Sequence, residues 1–155
     1  MRDIAELSIY YQNFVVEREI PSLEQLAEFQ ARHGIKLPDD YVAFIRSING
    51  GIPTLNFFTN EECEFVVETF HHLSLIDDQD DCYNISIASA WPSEDLGRTL
   101  IAIAGDGSGD QLVFDLSLGP QVRLWRHDDG QQPVIIAASF ADFIDRLEPE
   151  PEDDQ

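Results

Sequence analysis

The segment IKLPDDYVAFIRSINGG, residues 35–51, carries the strongest structural signal in the chain. Pro38 suits the first helical position, where its fixed φ favours the helix and its missing N–H removes no hydrogen bond. The carboxylates at 39–40 then lie in the first turn, next to the positive end of the helix dipole. Residues 49–51, Asn-Gly-Gly, tolerate left-handed backbone and predict the end of the helix. Helical spacing gives one apolar face, made of Tyr41, Phe44, Ile45 and Ile48.

Further helices are predicted on both sides of this segment. A capping-box pattern followed by apolar residues at helical spacing predicts a first helix over 4–17. A second capping box, Ser22 with Gln25, begins a helix that ends near Gly34. Ser139 is positioned to cap a last helix near the end of the chain.

After residue 51 the apolar period changes to that of β-strands. Residues 100–104 are continuously apolar, which predicts a central strand covered on both faces. A short helix over 82–90, capped by Asp80 or Asp81, interrupts the strand pattern. The element order predicts an α+β fold, a single domain with a largely antiparallel β-sheet packed with helices. The predicted strands are 54–58, 64–70, 100–104, 111–115, 121–125 and 134–138.

Three regions follow from this pattern. Residues 1–21 are expected to form an N-terminal helix and linker, and residues 22–147 the folded domain. Residues 148–155 form an acidic tail, EPEPEDDQ, that contains no apolar residue. Because such a segment has nothing to bury, the sequence predicts that the tail is disordered.

The charge of the chain excludes several classes of partner. Nine basic and thirty acidic residues give a net charge of −21, whereas sequence-independent binding to DNA, RNA or anionic lipid requires a positive surface. The sequence therefore predicts no nucleic-acid or membrane partner and favours a basic protein, leaving the oligomeric state open. Without a membrane-length apolar run or a secretion signal, we expect a cytoplasmic protein. Cys63 and Cys82 are expected to be reduced.

The acidic residues are concentrated in one interval. Residues 47–97 contain ten acidic residues and no Lys or Arg. Two interpretations stay open: a solvated charged surface, or a contact surface for a cationic partner. Alternation places Trp125 with Arg123, opposite Val122 and Leu124, so Trp125 faces outward as an interface anchor or lies beneath a helix. The candidate partner-binding residues are Glu61, Glu62, Glu64, Glu68, Asp77, Asp78, Asp80, Asp81, Trp125 and Asp128.

The sequence predicts no catalytic residue, no metal and no cofactor. The loop GDGSGD, residues 105–110, departs from the calcium-loop pattern, lacks the Lys of a phosphate loop, and has Gly where a nucleophile elbow needs Ser. It is predicted to be a tight turn in which Asp106 and Asp110 bond local amides. His71 and His72 point to opposite faces of an extended segment, which is poor geometry for binding one metal ion.

Four segments, taken in order, resemble the SUKH superfamily, specifically its Smi/Knr-type domain. They are residues 26–51, LIAIAGDGSGDQLVFDL at 100–116, VRLW with HDD at 122–129, and SFADFIDRL at 139–147. The resemblance implies an α+β fold and a binding role, because bacterial members are associated with immunity proteins that neutralise toxins, many of them nucleases. Fungal relatives are regulatory interaction proteins, and the family has no shared catalytic residue set.

The residues and the resemblance together predict an immunity protein that binds a basic toxin domain, such as a nuclease, by stoichiometric contact. A regulatory or scaffolding module without a toxin partner is the alternative. Nucleases hold phosphates in basic clefts, so an anionic inhibitor can occupy or overhang such a cleft. The predicted contact surface is therefore the acidic one.

Overall fold

The computed structural model describes residues 1–152, which form four α-helices and two β-sheets. The helices are α1 (Leu23–His33), α2 (Asp39–Ile45), α3 (Ile85–Leu96) and α4 (Phe140–Asp145). The strands are β1 (Leu55–Thr59), β2 (Glu64–Val66), β3 (Thr69–Phe70), β4 (Ile101–Gly105), β5 (Gln111–Phe114), β6 (Val122–Trp125), β7 (Val134–Ala137) and β8 (Glu148–Pro149). The α+β class predicted from the sequence is confirmed.

The strands pair in an antiparallel manner throughout the described residues. One sheet has the order β2-β1-β8, and the other has the order β3-β4-β5-β6-β7. Strand β4, the predicted central strand, lies fully buried between β3 and β5. The single strand predicted over 64–70 is divided, because β2 joins the first sheet and β3 joins the second. Glu68 therefore lies where the chain passes from one sheet to the other.

Helix α2 forms within the quoted segment and supplies the aromatic centre of the core. Tyr41 packs edge-on against Phe114 and Phe140, with ring centroids 5.3 and 5.0 Å apart. Phe44 contacts Phe70 at a centroid distance of 5.0 Å. Because these partners lie on α4 and on two strands of the larger sheet, α2 packs between α4 and that sheet. Aromatic pairs of this kind contribute about 0.5–1.5 kcal/mol each beyond the area they bury.

The turn after α2 joins distant parts of the chain. Asn49 is buried, and its Nδ2 donates to the carbonyls of Glu19 and Leu73 at 2.8 and 3.0 Å. Its Oδ1 accepts a hydrogen bond from the Leu73 amide at 2.8 Å. Gly51, with a φ of 126°, pairs with Phe70 in a conformation that favours glycine. The Asn-Gly-Gly sequence thus holds the N-terminal segment beside the chain that follows β3.

The predicted helix over 4–17 is wrong beyond its first turn. The backbone forms a 3-10 helix over Ile4–Leu7, and the chain then becomes extended. Tyr10 and Ile52 exchange two backbone hydrogen bonds of 2.9 Å. These tertiary hydrogen bonds replace the helical ones, so the apolar spacing of this segment reflects a different packing. One consequence is that the side chain of Phe14 is 86% exposed.

The helix predicted over 82–90 exists but begins later and is longer, as α3. Its cap is Asn84, whose Oδ1 accepts a hydrogen bond from the Ser86 amide at 2.9 Å. The prediction that Asp80 or Asp81 caps this helix is wrong. Both aspartates lie in the loop before α3, where they make other contacts.

The predicted disorder of the acidic tail is wrong for its first residues. Glu148 and Pro149 form β8 and pair with Phe57 and Leu55 of β1. Backbone pairing to a strand edge requires no apolar side chain, so composition alone does not reveal it. Residues 153–155 of the predicted tail lie outside the described residues.

The larger sheet is covered on both faces by helices. One face contributes to the main core with α2 and α4, and the other packs beneath α3 through a smaller buried cluster. The loops 106–110 and 126–133 lie at the same end of this sheet, because antiparallel strands alternate in direction. The cluster beneath α3 consists of Leu100, Ala102, Val113 and Trp125.

Candidate functional site

The loop that joins β3 to α3 carries four of the predicted acidic residues and is fixed by its own hydrogen bonds. Asp78 Oδ1 accepts a hydrogen bond from the Asp80 amide at 3.0 Å. The buried Asn84 donates from Nδ2 to the Ile76 carbonyl at 3.2 Å. These contacts hold the loop in one shape and direct several carboxylates outward. The exposed acidic residues of the loop are Asp77, Asp78 and Asp80.

Asp81 differs from the other acidic residues of this loop, because it anchors the loop to the fold. Its Oδ2 lies 2.9 Å from Nε2 of the buried His72 and 3.6 Å from a guanidinium nitrogen of Arg18. Burial lowers the pKa of His72, although the neighbouring Asp81 carboxylate acts in the opposite direction. Asp81 therefore ties the loop both to β3 and to the extended N-terminal segment.

A groove of about 610 Å³ opens between this loop and the N-terminal segment; we name it the acidic groove. Its lining includes Phe14 and Ile76, which are 86% and 75% exposed. Arg18 is the single basic residue among its lining residues, and it is already paired with Asp81. The groove therefore combines apolar surface with carboxylates that no base neutralises. Its lining residues are Phe14, Arg18, Ser74, Ile76, Asp78, Asp80, Asp81, Cys82 and Tyr83.

A second cavity of about 240 Å³ adjoins the acidic groove, and Cys82 and Tyr83 line both. We name it the Glu68 cavity, because the exposed carboxylate of Glu68 lies at its rim. His71 lines its floor, and the Nε2 of His71 donates to Gln111 at 2.7 Å. Burial lowers the pKa of His71 to about 4, so the ring is neutral at physiological pH. Glu68, a predicted partner-binding residue, thus lines a cavity that adjoins the acidic groove at Cys82 and Tyr83.

The GDGSGD loop forms the predicted turn, and Asp106 bonds a local amide as predicted. The prediction that Asp110 bonds a local amide is wrong, because Asp110 bonds the amide of His127 in the loop after β6. Asp106 Oδ1 accepts a hydrogen bond from the Ser108 amide at 2.8 Å, and Asp110 Oδ1 accepts one from the His127 amide at 3.1 Å. The Nδ1 of His127 also donates to Asp110, at 2.7 Å. This hydrogen bond raises the pKa of His127 above its usual value, and Asp128 adds to the effect.

Asp110, His127 and Asp128 each offer a ligand atom, and these atoms lie within 4.8 Å of one another. Nδ1 of His127 and the nearest oxygen of Asp110 already share a hydrogen bond, so one of them would have to exchange that bond for a cation. The arrangement present is therefore a hydrogen-bonded pair that fastens the two loops together. Asp128, a predicted partner-binding residue, lies exposed beside this pair.

Three predicted residues lie apart from the acidic groove, at the turn between β1 and β2. Asn60 shapes this turn, because its Oδ1 accepts hydrogen bonds from the amides of Glu62 and Cys63 at 2.8 Å each. Glu62 lines a separate cavity of about 410 Å³ together with Arg126. This cavity shares no lining residue with the acidic groove. The three residues are Glu61 and Glu62 in the turn and Glu64 at the start of β2.

Trp125 is fully buried and does not belong to the candidate surface, which corrects the proposed role as an interface anchor. Alternation placed its side chain on the face opposite Val122 and Leu124, and that face is covered by α3. Its Nε1 donates to Asp95 at 3.1 Å. The ring of Trp91 packs edge-on against it at 5.3 Å and is itself 55% exposed.

Sequence reasoning missed the apolar residues of the groove. Helical spacing placed Phe14 among the apolar residues of a helix over 4–17, whereas Phe14 lies in the turn between Gln12 and Val15 and is exposed. Ile76 stands directly before Asp77 and Asp78, and this apolar residue within an acidic loop was the available signal. Tyr83 gave no signal, because its position between the two cavities depends on how the loop closes.

The structure is an α+β domain with a groove lined by acidic and exposed apolar side chains. Comparison with family models identifies it: residues 20–146 match the SMI1 / KNR4 family (SUKH-1). The match spans most of the chain, so the protein belongs to this family. Searches among curated proteins and among solved structures found no match. Within the described residues, none of the helices has the length and apolar character needed to cross a membrane.

Proposed function

We propose that this protein is an immunity-type binder that neutralises a cationic protein toxin by stoichiometric contact, without turnover. The observation that carries the proposal is the acidic groove. There, the exposed side chains of Phe14 and Ile76 give an apolar surface beside the carboxylates of Asp78 and Asp80. A surface that is only charged and solvated does not require exposed apolar side chains. Exposed apolar patches rimmed by polar residues are typical of interaction sites.

The charge around the groove favours a basic partner. Asp81 pairs with Arg18, so the remaining carboxylates keep their charge available for a partner. The net charge of −21 adds a long-range field. Such fields raise the rate of encounter with an oppositely charged protein by roughly tenfold to a thousandfold at low salt. The same field repels nucleic acids and anionic membranes, so we propose neither as a partner.

A nuclease toxin fits this chemistry, because nucleases bind phosphates through basic clefts. An acidic surface that also carries exposed apolar side chains can cover such a cleft and exclude the nucleic-acid substrate of the nuclease. Membership of the SMI1 / KNR4 family supports an immunity role of this kind. We propose that the protein acts in the cytoplasm, where a nuclease toxin would meet its targets.

Co-expression with a candidate toxin tests the proposal. A suitable candidate is the C-terminal domain of a large secreted protein, where a neighbouring gene is found to encode one. We expect the protein to protect growth and to form a one-to-one complex with that domain. Because the encounter is electrostatically steered, the association rate should fall steeply across a series of increasing salt concentrations.

Two outcomes would contradict the proposal: no protection by the intact protein, or an association rate that does not change with salt. A stable complex with a host protein that is not toxic would instead favour the regulatory alternative. Turnover of a metabolite by the purified protein would contradict a purely stoichiometric role.

A further inference from the structure

The Glu68 cavity has features that the acidic groove beside it lacks. At about 240 Å³ it is smaller than the roughly 300–1,000 Å³ of pockets that hold drug-sized ligands. Tyr83 and Glu68 line it, and so do Gly105 and Gly107, which have no side chains. These dimensions suit one side chain of a partner better than a helix or a strand.

Gly107 leaves room for the Glu68 carboxylate beside the cavity. Gly107 has a φ of 84°, and a Cβ at this position would overlap the Glu68 carboxylate. The carboxylate therefore lies directly over the glycine backbone. Among the ion pairs of residues 1–152, none involves Glu68. Its charge is consequently available to a ligand.

The buried side chain of His71 supports the lining of the cavity. His71 is 4% exposed, and its Nε2 is occupied by Gln111. Its Nδ1 is buried and has no hydrogen-bond partner among the described residues. In a neutral ring whose Nε2 carries the proton, Nδ1 is an acceptor. The unpaired carboxylate of Glu68 and the aromatic residue Tyr83 together call for a ligand that is cationic, flat and rich in donors.

We propose that the Glu68 cavity binds the guanidinium group of a partner arginine, an inference that rests on the proposed function for its biological setting. A guanidinium can donate two parallel hydrogen bonds to one carboxylate and can also stack on an aromatic ring. A lysine ammonium is more strongly hydrated and lacks the planar group, so it fits the same walls less well. The cavity thus anchors one arginine, while the neighbouring groove supplies apolar contact.

Titration of the full chain with N-acetyl-arginine amide, followed by amide NMR, tests this site without the natural partner. The expected shifts are confined to residue 68, residue 83 and residues 105–111. The Glu68→Gln variant should weaken binding about tenfold, the size expected for one charge-assisted hydrogen-bonded pair. The matched control is Glu64→Gln, an exposed glutamate on β2, which should leave the affinity unchanged.

Two further ligands test whether binding requires both the charge and the planar shape of the guanidinium group. N-acetyl-citrulline amide has nearly the same shape without the charge and should cause no shifts at the cavity. N-acetyl-lysine amide should bind several times more weakly than the arginine compound, by the argument from planarity. Equal shifts with citrulline, or equal effects of the two glutamate variants, would overturn the inference, as would shifts that spread over all acidic segments.

The proposed function and the arginine site can fail separately. If the toxin domain binds wild-type protein and the Glu68→Gln variant with the same dissociation rate, the arginine site is wrong and the binding function stands. If N-acetyl-arginine amide binds in the cavity but no toxin is neutralised, the site stands and the function is wrong.

Discussion

The turn between β1 and β2 and the loop between β3 and α3 are both acidic, yet they present different surfaces. The turn carries Glu61 and Glu62, and the cavity beside it also includes the basic Arg126. The loop presents Asp78 and Asp80 next to strongly exposed apolar side chains, and its one basic neighbour is already paired. Similar charge in the sequence thus produces two surfaces of different chemistry.

This difference shows that acidic residues alone do not define a contact surface. Exposed ion pairs contribute little on their own, with typical values of about 0–1 kcal/mol. A contact surface needs apolar area that partner binding can remove from water, and the charge then guides encounter and selects the partner. In this protein the acidic groove has both properties.

The largest expected effect comes from reversing the charge of the loop. The triple variant Asp77→Lys, Asp78→Lys, Asp80→Lys should slow association with the cationic toxin domain by roughly tenfold to a thousandfold at low salt. Stopped-flow kinetics measures this rate. Asp81 is left unchanged, because it is bonded to His72 and Arg18.

The matched control reverses the charge of the turn with Glu61→Lys and Glu62→Lys. Its association rate should fall by about threefold or less, since only the general field changes. Equal slowing by the two sets of substitutions would show that total charge matters and that the loop has no special role.

The second effect concerns the exposed apolar side chains of the acidic groove, Phe14 and Ile76. Phe14→Ser with Ile76→Ser should weaken the complex by about 3 kcal/mol, or roughly a hundredfold, mainly through faster dissociation. The free energy of unfolding should change by less than about 0.5 kcal/mol, because both side chains are exposed. Surface plasmon resonance and urea unfolding measure the two quantities.

Val134→Ser with Ile135→Ser is the control for this prediction, because these half-exposed residues line the cavity beside the turn. That variant should keep full affinity for the toxin domain. An affinity loss as large as that of the groove variant would indicate that the interface lies at strand β7 and not at the acidic groove.

A third effect concerns stability. Asp81→Ala should lower the free energy of unfolding by about 2 kcal/mol, because it leaves the buried Nε2 of His72 without its acceptor. Glu62→Ala, an exposed acidic residue of the turn, should change it by less than about 0.5 kcal/mol. Urea unfolding at neutral pH tests both, and equal losses would mean that Asp81 is not an anchor.

The smallest effect is a pH dependence of the same anchor. Burial lowers the pKa of His72 in the folded protein, and the Asp81 carboxylate offsets part of that change. A folded-state pKa below the ordinary value of 6.5 means that the unfolded chain takes up a proton first as the pH falls. This contribution to stability is therefore complete above pH 6.5 and is lost as the pH falls through the pKa of the folded state.

His72→Gln keeps a hydrogen-bond donor for Asp81 and removes the titration. The unfolding free energy of wild type relative to this variant should therefore decrease as the pH falls below 6.5 and stay constant above it. A difference that is constant over the whole range would show that His72 does not titrate in response to folding.

Local signals in the sequence located most helices and strands. Helix α2 follows from its acidic first turn and its apolar face, and each of these acts within one or two turns. The predicted ends were wrong, because Pro38 precedes the helix as its N-cap and the helix ends at Ile45, which leaves Ile48 outside it. Helix α1 follows from the capping box of Ser22 and Gln25, which the structure contains. The family resemblance is likewise confirmed by the match over residues 20–146.

Apart from the cap of α3, the main errors share one cause, which is contact between residues far apart in the chain. The N-terminal segment is extended because Tyr10 pairs with Ile52, and the start of the tail forms a strand because it pairs with β1. Trp125 is buried because α3 covers its face of the sheet. None of these partners can be recognised from the local pattern of the residues concerned.

The sequence by itself determined the charge, the α+β class, the position of α2 and the acidic interval from which the site is drawn. These depend on composition and on spacing along a few turns or strands. Only the tertiary structure decided which carboxylates are free and which apolar side chains lie beside them. The physical reason is that the groove is formed by Phe14 and the loop before α3, two segments joined through Asn49, Asp81 and Arg18 across large separations in sequence.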